Sequence, residues 1–398
     1  MTEDFQNVLY LFSCAAMGKK IAKKLSIDLN KLYEICAANG IWPIVYKFLA
    51  EEKTFPESFK SIEKKTINDI YKSVLQNANT ANIVKELEKN GIECCILKGA
   101  TLSELYSNPD ARISSDVDIF IKDGIDEACE ILKKNQFRIL NRWVGSHHIK
   151  CISSRCKMIE LHTEYFDKLV ADLWFDGAGF IDAEFIPFTF EGVACHALNP
   201  TDGILFVFLH FVKHYISATV TVRQLMDTLL YLRKYKNEID FEKINNVLDK
   251  LNYAKFFKIC IAFGIKYLQF EKEDFGFTLQ EDFAEETELF LQDLYNLARN
   301  NNTNIYNEYW QDAFLEKNKS GSYKKYSKKL NGGGILQMAK VNKNVMQEKY
   351  PILNKYKFLY PVCYVWRAVT GMWKLLSKPT KSEEQGNNRM LLVKKLGL

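Results

Sequence analysis

Hydrophobic residues recur at helical spacing near both ends of the chain. Close to the N-terminus, Leu9, Phe12 and Ala16 fall on one face of a predicted helix. Further along, the stretch 199–202, Asn-Pro-Thr-Asp, combines an N-cap, a proline at the first helical position and an acid in the first turn. It is followed by several segments with apolar residues at helical spacing. We therefore predict helices in both the first and the last part of the chain.

Between these parts the hydrophobic pattern becomes that of short strands. The apolar run 93–97 ends in a Lys-Gly pair, which is typical of a buried strand that turns tightly into a helix. The runs 115–121 and 157–163 alternate apolar with polar residues and predict two further strands. A helix is predicted over 126–135. Strands and helices in alternation indicate a small α/β core.

The predicted fold class is therefore α+β, in three parts. A small mixed β-sheet core over 91–198 is flanked by an N-terminal helical cap over 1–90 and a C-terminal helical domain over 199–398. A chain of 398 residues is longer than one hydrophobic core usually supports, which is consistent with several packed parts.

Composition narrows the class of protein without identifying a partner. Apolar residues make up 47% and charged residues 26%, as in ordinary globular proteins. The net charge of +5 is small for this length and argues against a nucleic-acid partner. The ten cysteines form no CxxC pair, so we expect reduced, buried thiols. The acidic start is unlike a signal peptide and no run resembles a membrane span, so we expect a cytoplasmic protein.

The clearest chemical signal is a pair of acids on a predicted strand. Asp116 and Asp118 stand at i and i+2, so both side chains project from one face of the strand. Like charges at this spacing repel unless a cation lies between them, and Mg²⁺ or Mn²⁺ with oxygen ligands would serve. A third acid, Glu160, shares its predicted face with His162 on a later strand. The alternative is an edge strand with its polar side in water, which is the more frequent origin of an isolated DxD.

Other polar residues surround this pair in the sequence. Lys98-Gly99 lies where a strand gives way to a helix, and Arg112 and Ser115 lead into the acids. Taken singly, each is more often a solvated strand end or a loop charge than a ligand.

Two later helices add histidines and an arginine. His210 and His214 stand at i and i+4, a spacing also used by zinc sites, but no third ligand follows from spacing, and structural or substrate-facing roles are favoured. Arg223 and Asp227 have the same spacing and are most simply an ion pair at the surface or between helices.

These motifs occur in an order that resembles a known family. The resemblance is carried by Ile96-Leu97-Lys98-Gly99-Ala100-Thr101-Leu102, Leu105-Tyr106, Pro109, Arg112, Ser115-Asp116-Val117-Asp118-Ile119 and Ile159-Glu160-Leu161-His162. In this order the chain resembles the uncharacterised nucleotidyltransferase family of the DNA polymerase beta superfamily. The resemblance implies a polymerase beta-like fold and nucleotidyl transfer.

The resemblance also implies roles for individual residues of the core. Asp116 and Asp118 would bind metal and Glu160 would be the third carboxylate, so that these three are the expected catalytic residues. Gly99 would lie in the turn that holds the nucleotide phosphates, with Lys98 adding a positive charge. Glu160 stands where an aspartate is more usual in the superfamily.

Five further residues are expected at the nucleotide. Arg112 and Ser115 lie on the edge that carries the acids. The family resemblance places the helical region beside the cleft, where Lys213, His214 and Arg223 could contact a triphosphate or an acceptor.

The predicted function is metal-dependent transfer of a nucleotidyl group from an NTP such as ATP, with pyrophosphate leaving. The acceptor is unidentified and could be a small molecule, a saccharide or a protein. The alternative is a non-catalytic nucleotide-binding or scaffold protein that retains the fold. A polymerase acting on nucleic acid is disfavoured by the modest charge. The aromatic and basic segment 350–374 is most simply a core-packing helix, and peripheral contact with a membrane is the other interpretation.

Overall fold

The chain forms two compact units, Met1–Asn302 with Leu392–Leu398, and Thr303–Leu391. Both predicted boundaries, at 90 and 198, fall inside the first unit. The computed structural model describes residues 2–23, 25–51, 55–140, 148–154, 158–166, 170–171, 175–181, 184–217, 219–299, 351–354, 356–363, 366, 389 and 391–398.

The second unit is described only in part. Its described residues include two short 3-10 helices, Pro351–Asn354 and Lys357–Leu359. Most of the predicted segment 350–374 lies outside the described residues. Its contact with a membrane surface therefore stays a prediction. In the described ranges, no helix combines the length and apolar character needed to cross a membrane.

The N-terminal part of the first unit is helical, as predicted. Its helices are α1 (Thr2–Met17), α2 (Leu29–Ala38), α3 (Trp42–Ala50) and α4 (Lys60–Lys89). The Asp28 side chain caps α2 by accepting hydrogen bonds from the backbone N–H groups of the first turn. The indole Nε1 of Trp42 donates to Thr66 Oγ1 at 2.8 Å, which ties α3 to the long helix α4.

Within the described residues, seven strands and two helices form the central part of the first unit. The strands are β1 (Cys94–Ile96), β2 (Val117–Ile121), β3 (Arg138–Ile139), β4 (His148–Ile152), β5 (Ile159–His162), β6 (Phe185–Phe190) and β7 (Val193–Leu198). The helices are α5 (Ala100–Ser103) and α6 (Ile125–Lys134). The strand order is β3-β4-β5-β2-β1-β7-β6. Because β2 pairs with β5 and β1 with β7 in parallel while the other pairs are antiparallel, the sheet is mixed. The predicted α+β class is confirmed.

One face of the central strands is apolar and packs into the core. Ile119 and Leu161 lie opposite each other on β2 and β5 and contact a cluster that includes Leu87 of α4 and Leu132 of α6. Fully burying each such side chain contributes about 1.5–3 kcal/mol. A shift of one residue in register would turn Glu160 into this core, so the apolar face fixes the side on which the acids lie.

The helices that follow the sheet include α7 (Pro200–Ile216), α8 (Val222–Tyr235), α9 (Phe241–Lys250), α10 (Ala254–Tyr267) and α11 (Ala284–Arg299). Asn199 caps α7 by accepting from the N–H groups of Thr201 and Asp202, which confirms the predicted helix start. Helix α7 is buried along most of its length and packs against α8.

The contact between α7 and α8 depends on a glycine at position 203. A Cβ added at Gly203 would lie 2.0 Å from the hydroxyl oxygen of Tyr231, whose ring is buried. The ring would have to move, because protein interiors leave no spare volume.

We expect Gly203→Ala to lower the free energy of unfolding by about 1–3 kcal/mol, because the overpacking outweighs the gain in helix propensity. Urea unfolding would measure the change. Gly179→Ala is the control, since a Cβ there meets nothing within 4 Å. Equal stability of the two variants would contradict the close packing of α7 on α8.

Candidate active site and metal centre

Two buried carboxylates lie side by side on parallel strands. Asp118 on β2 is 1% exposed and Glu160 on β5 is 8% exposed, and the two residues are register partners. Asp116 precedes β2 and is half-buried, with Ser115 Oγ donating to its Oδ1 at 3.1 Å. The structure therefore brings together the three acids that the sequence singled out.

Both oxygens of Asp118 face nitrogen atoms. Nε2 of His162 is 2.8 Å from Oδ1, and Nζ of Lys98 is 3.4 Å from Oδ2. Burial alone would raise the pKa of Asp118, but the charges of Lys98 and His162 outweigh it and hold this pKa well below its usual range. Asp118 is therefore ionised.

Burial and the same charges shift the pKa values of the groups around Asp118. Burial alone would lower the pKa of Lys98, but Asp118, Asp116 and Glu160 raise it, so the ammonium stays charged. Burial and the charge of Asp118 raise the pKa of Asp116. For His162, the contacts with the two buried acids outweigh burial and raise the pKa.

Glu160 has basic neighbours on β4 and β5. Its Oε1 lies 3.7 Å from His148 Nε2 and 3.5 Å from Lys150 Nζ, and its Oε2 lies 3.7 Å from His162 Nε2. Burial tends to raise the pKa of Glu160, but the nearby His162 and His148 leave it lowered. The third carboxylate is therefore also ionised.

Asp118, Glu160 and His162 could hold a metal ion together. Each offers a ligand atom, and within the part of the chain that the structure describes these three atoms lie within 4.8 Å of one another. The set differs from the predicted one, because His162 belongs to it and Asp116 does not. The alternation that placed Glu160 and His162 on one face was the signal for this histidine.

Lys98 and Gly99 occupy the turn after β1. Gly99 has φ +81°, a conformation that favours glycine, while a Cβ there would make only ordinary van der Waals contact with Ser114 Oγ at 3.5 Å. The predicted helix after this turn is short, since α5 ends at Ser103. The reason is tertiary: Tyr106 turns inward to donate to Asp227 Oδ1 at 2.8 Å.

Arg112 has a role that the sequence did not indicate. Its Nε and Nη2 donate to the two carboxylate oxygens of Asp227 on α8, at 3.0 and 2.6 Å, and its Nη1 donates to Ser114 Oγ at 2.6 Å. The predicted pair of Asp227 with Arg223 is wrong, because this bidentate partner occupies the carboxylate. Arg112 therefore fastens the loop before β2 to the helical part. Contact of Arg112 with a nucleotide stays a prediction.

A cleft of about 240 Å³ opens beside the acids. Its described lining includes most of the predicted ligand residues and several that sequence reasoning missed. The predicted ones are Lys98, Gly99, Arg112, Ser115, Asp116, Asp118, His214 and Arg223, the missed polar ones are Thr219, Thr221 and Gln224, and Ser114, His210 and Asp227 also line the cleft. Glu160 and Lys213 are not among the described lining residues. Lys213 as a nucleotide ligand therefore receives no support from the shape of the cleft.

The two histidines of α7 are neutral members of this lining. Nζ of Lys98 lies 3.0 Å from His210 Nε2, and His214 Nδ1 lies 2.8 Å from Thr219 Oγ1. Burial, together with the charge of Lys98, lowers the pKa of both histidines, that of His214 to about 3. In the described ranges neither belongs to a group of three metal-ligating side chains.

Arg223 reaches the cleft from α8. Its Nη1 donates to the backbone carbonyl of Ile113, just before the acids. Burial and the nearby Arg112 lower its pKa.

Comparison with known families agrees with this geometry. A model of the family described as uncharacterised nucleotidyltransferase matches residues 26–265, which is more than half of the chain. The chain belongs to this family. The match spans β1, β2 and β5 as well as α7 and α8, so it includes every residue of the site described above. The nucleotidyltransferase class predicted from the sequence is confirmed.

Solved structures give weaker likenesses. An antigenic nucleotidyltransferase-like protein from Paracoccidioides brasiliensis is 14% identical, with 45% of this chain and 89% of that chain covered and a TM-score of 0.29. A tRNA-processing enzyme in an apo form is 13% identical, with 87% and 100% covered and a TM-score of 0.20. A tRNA nucleotidyltransferase complexed with a primer tRNA and an incoming ATP analog is 12% identical, with 79% and 99% covered and a TM-score of 0.19. TM-scores of this size establish neither fold nor substrate. No curated protein matches the chain.

We expect Asp227→Asn in this nucleotidyltransferase to lower the free energy of unfolding by about 3–5 kcal/mol, because Arg112 loses its buried carboxylate partner. Urea unfolding would measure it. Glu34→Gln is the matched control, since it removes one charge from an exposed pair with Lys31. Similar losses in both variants would contradict the structural role of Arg112.

His210 makes the stability of the nucleotidyltransferase depend on pH. Because its pKa lies well below the ordinary value of 6.5, the folded protein binds fewer protons than the unfolded chain in acid. The stability associated with neutral, buried His210 is fully present above the pKa that this histidine has in the unfolded chain, and it is lost as pH falls below that pKa. We expect His210→Gln to flatten the decline between about pH 7.5 and about pH 4.5, by at most about 1.4 kcal/mol per pH unit. Urea unfolding across this range checks it, and unchanged slopes would contradict it.

Proposed function

We propose that this protein transfers a nucleotidyl group from an NTP to an oxygen atom of an acceptor, in a reaction that needs a divalent ion and releases pyrophosphate. The observation that carries the proposal is the register of β2 and β5, which sets the buried carboxylates of Asp118 and Glu160 side by side, with Asp118 lining the cleft. Membership of a nucleotidyltransferase family supports the class of reaction.

The residues present fit a divalent ion. Two ionised carboxylates and an imidazole present ligand atoms within 4.8 Å of one another, and oxygen-rich sets of this kind hold Mg²⁺ or Mn²⁺. Asp118, Glu160 and either His162 or Asp116 would hold the ion. When bound, such an ion neutralises charge that develops on the transferred phosphate.

The turn after β1 could accommodate the phosphates of an NTP, because it carries a positive charge and leaves space for them. Lys98 stays protonated between Asp118 and His210, so its ammonium can also meet a phosphate oxygen. Gly99 leaves the turn beside it free of a side chain. Arg223 and the neutral ring of His214 also line the cleft and would add hydrogen bonds. An NTP, with ATP as the first candidate, is therefore the proposed co-substrate.

Asp116 is the best-placed group to accept the acceptor's proton. It lines the cleft and Glu160 does not, and its pKa is raised by burial and by Asp118. A carboxylate whose pKa is raised towards neutral pH is a better base. Attack by the acceptor oxygen on the α-phosphorus would break the bond to the β-phosphate, and pyrophosphate would leave.

The acceptor is proposed by class only, as a small molecule, a saccharide or a protein. The net charge of +5 does not favour nucleic acid. The non-catalytic alternative has one observation in its favour, because Lys98 already supplies a positive charge at Asp118.

We expect Asp118→Asn to reduce transfer by at least about 100-fold, since it removes charge from the metal-binding face. Label from α-labelled NTPs would be followed onto a panel of hydroxyl-bearing small molecules, saccharides and proteins, with Mg²⁺ or Mn²⁺ present. Release of pyrophosphate is a second readout. Asp123→Asn is the control, because this exposed aspartate follows the same strand.

Two results would contradict the proposal. Equal labelling by wild type and Asp118→Asn would remove Asp118 from the reaction. NTP binding that needs no divalent ion, as judged by calorimetry, together with no turnover on any acceptor, would favour the non-catalytic alternative.

A further inference from the structure

A histidine lies between the two buried acids where an all-oxygen metal site would have none. Nε2 of His162 is 2.8 Å from Asp118 Oδ1 and 3.7 Å from Glu160 Oε2, and the residue is 4% exposed. The ring is thus directed at the point where the two carboxylates converge. A ligand at that point would meet one nitrogen and two oxygen atoms.

Strand pairing holds this histidine in position. Phe120 of β2 and His148 of β4 are the register partners of His162 in β5, so the ring is set by strands on both sides. His148 lies 5.3 Å from it, centroid to centroid, and its Nε2 is 3.7 Å from Glu160 Oε1. His148 contacts the far oxygen of Glu160, which leaves the near oxygen for the site shared with His162.

We propose that His162 is a metal ligand together with Asp118 and Glu160, and that the site therefore takes a first-row transition ion such as Mn²⁺ or Co²⁺ more tightly than Mg²⁺. This inference rests on the proposed metal-dependent function. Mg²⁺ prefers oxygen ligands and near-ideal octahedral geometry, whereas imidazole suits transition ions.

The alternative is that His162 only donates a hydrogen bond to Asp118 and that a bound metal ion has oxygen ligands only. The position of the ring argues against it, because a ring nitrogen of His162 lies within 4.8 Å of an oxygen of each carboxylate, as a shared ion requires. Without His162, the group retains two protein ligands.

The ligand can be identified without measuring activity. Mn²⁺ would be added to the metal-free, full-length protein and examined by pulsed electron paramagnetic resonance, which detects coupling to a directly bound ¹⁴N nucleus. We expect ¹⁴N coupling in wild type and its loss in His162→Gln. His148→Gln is the matched control and should keep the coupling. Absence of coupling in wild type, or its loss only in His148→Gln, would overturn the proposal.

Metal competition gives a second test. We expect Mn²⁺ and Co²⁺ to bind wild type at least about tenfold more tightly than Mg²⁺, and His162→Gln to lose at least about tenfold in affinity for Co²⁺ while Mg²⁺ binding changes little. Circular dichroism would confirm that the variant is folded. Equal effects on Co²⁺ and Mg²⁺ would overturn the ligand assignment. That outcome differs from failure of the proposed function, since Asp118-dependent label transfer with Mg²⁺ would still be observed.

Discussion

Burial of two carboxylates on adjacent parallel strands is the constraint on which the site depends. Asp118 and Glu160 are held together by the pairing of β2 with β5, and that pairing is secured by Ile119 and Leu161 on the opposite, apolar face. Two buried anions at this distance repel each other, so the structure surrounds them with Lys98 and His162. The hydrophobic core thus determines where the charge lies, and the charge determines which side chains gather around it.

The second constraint joins the sheet to the helices. Arg112 spans from the loop before β2 to Asp227 of α8, while Tyr106 donates to the same carboxylate. Because an unpaired buried charge is costly, this network keeps the loop and α8 at a fixed separation. The cleft lies beside this network, and both Arg223 and Asp116 line it. Stability and the shape of the proposed nucleotide site therefore depend on the same contacts.

The arrangement also divides the roles of the acids. Asp118 has one oxygen towards Lys98 and the cleft and the other towards His162. Glu160 lies behind it among basic side chains of β4 and β5, and Asp116 lies in front, half-buried and lining the cleft. Under the proposed function, Asp118, Glu160 and His162 would hold the metal and Asp116 would accept the proton. The cleft, whose lining includes the neutral His210 and His214, would then take the phosphates.

The local pattern of apolar and polar residues predicted much of this structure. The helix start at Asn199, the strands around Asp118 and Glu160, and the shared face of Glu160 and His162 follow from periods of 3.6 and 2, which depend on a few consecutive residues. The α+β class follows from the same runs, whereas the nucleotidyltransferase family was indicated by the resemblance of the ordered motifs to that family. Local pattern did not predict three other features. Asp227 pairs with Arg112 and not with Arg223, α5 ends at Ser103, and His148 lies beside Glu160. Each of these features depends on residues that are far apart in the chain. Packing and strand register set the distances between such residues, and the spacing of neighbouring residues does not reveal those distances.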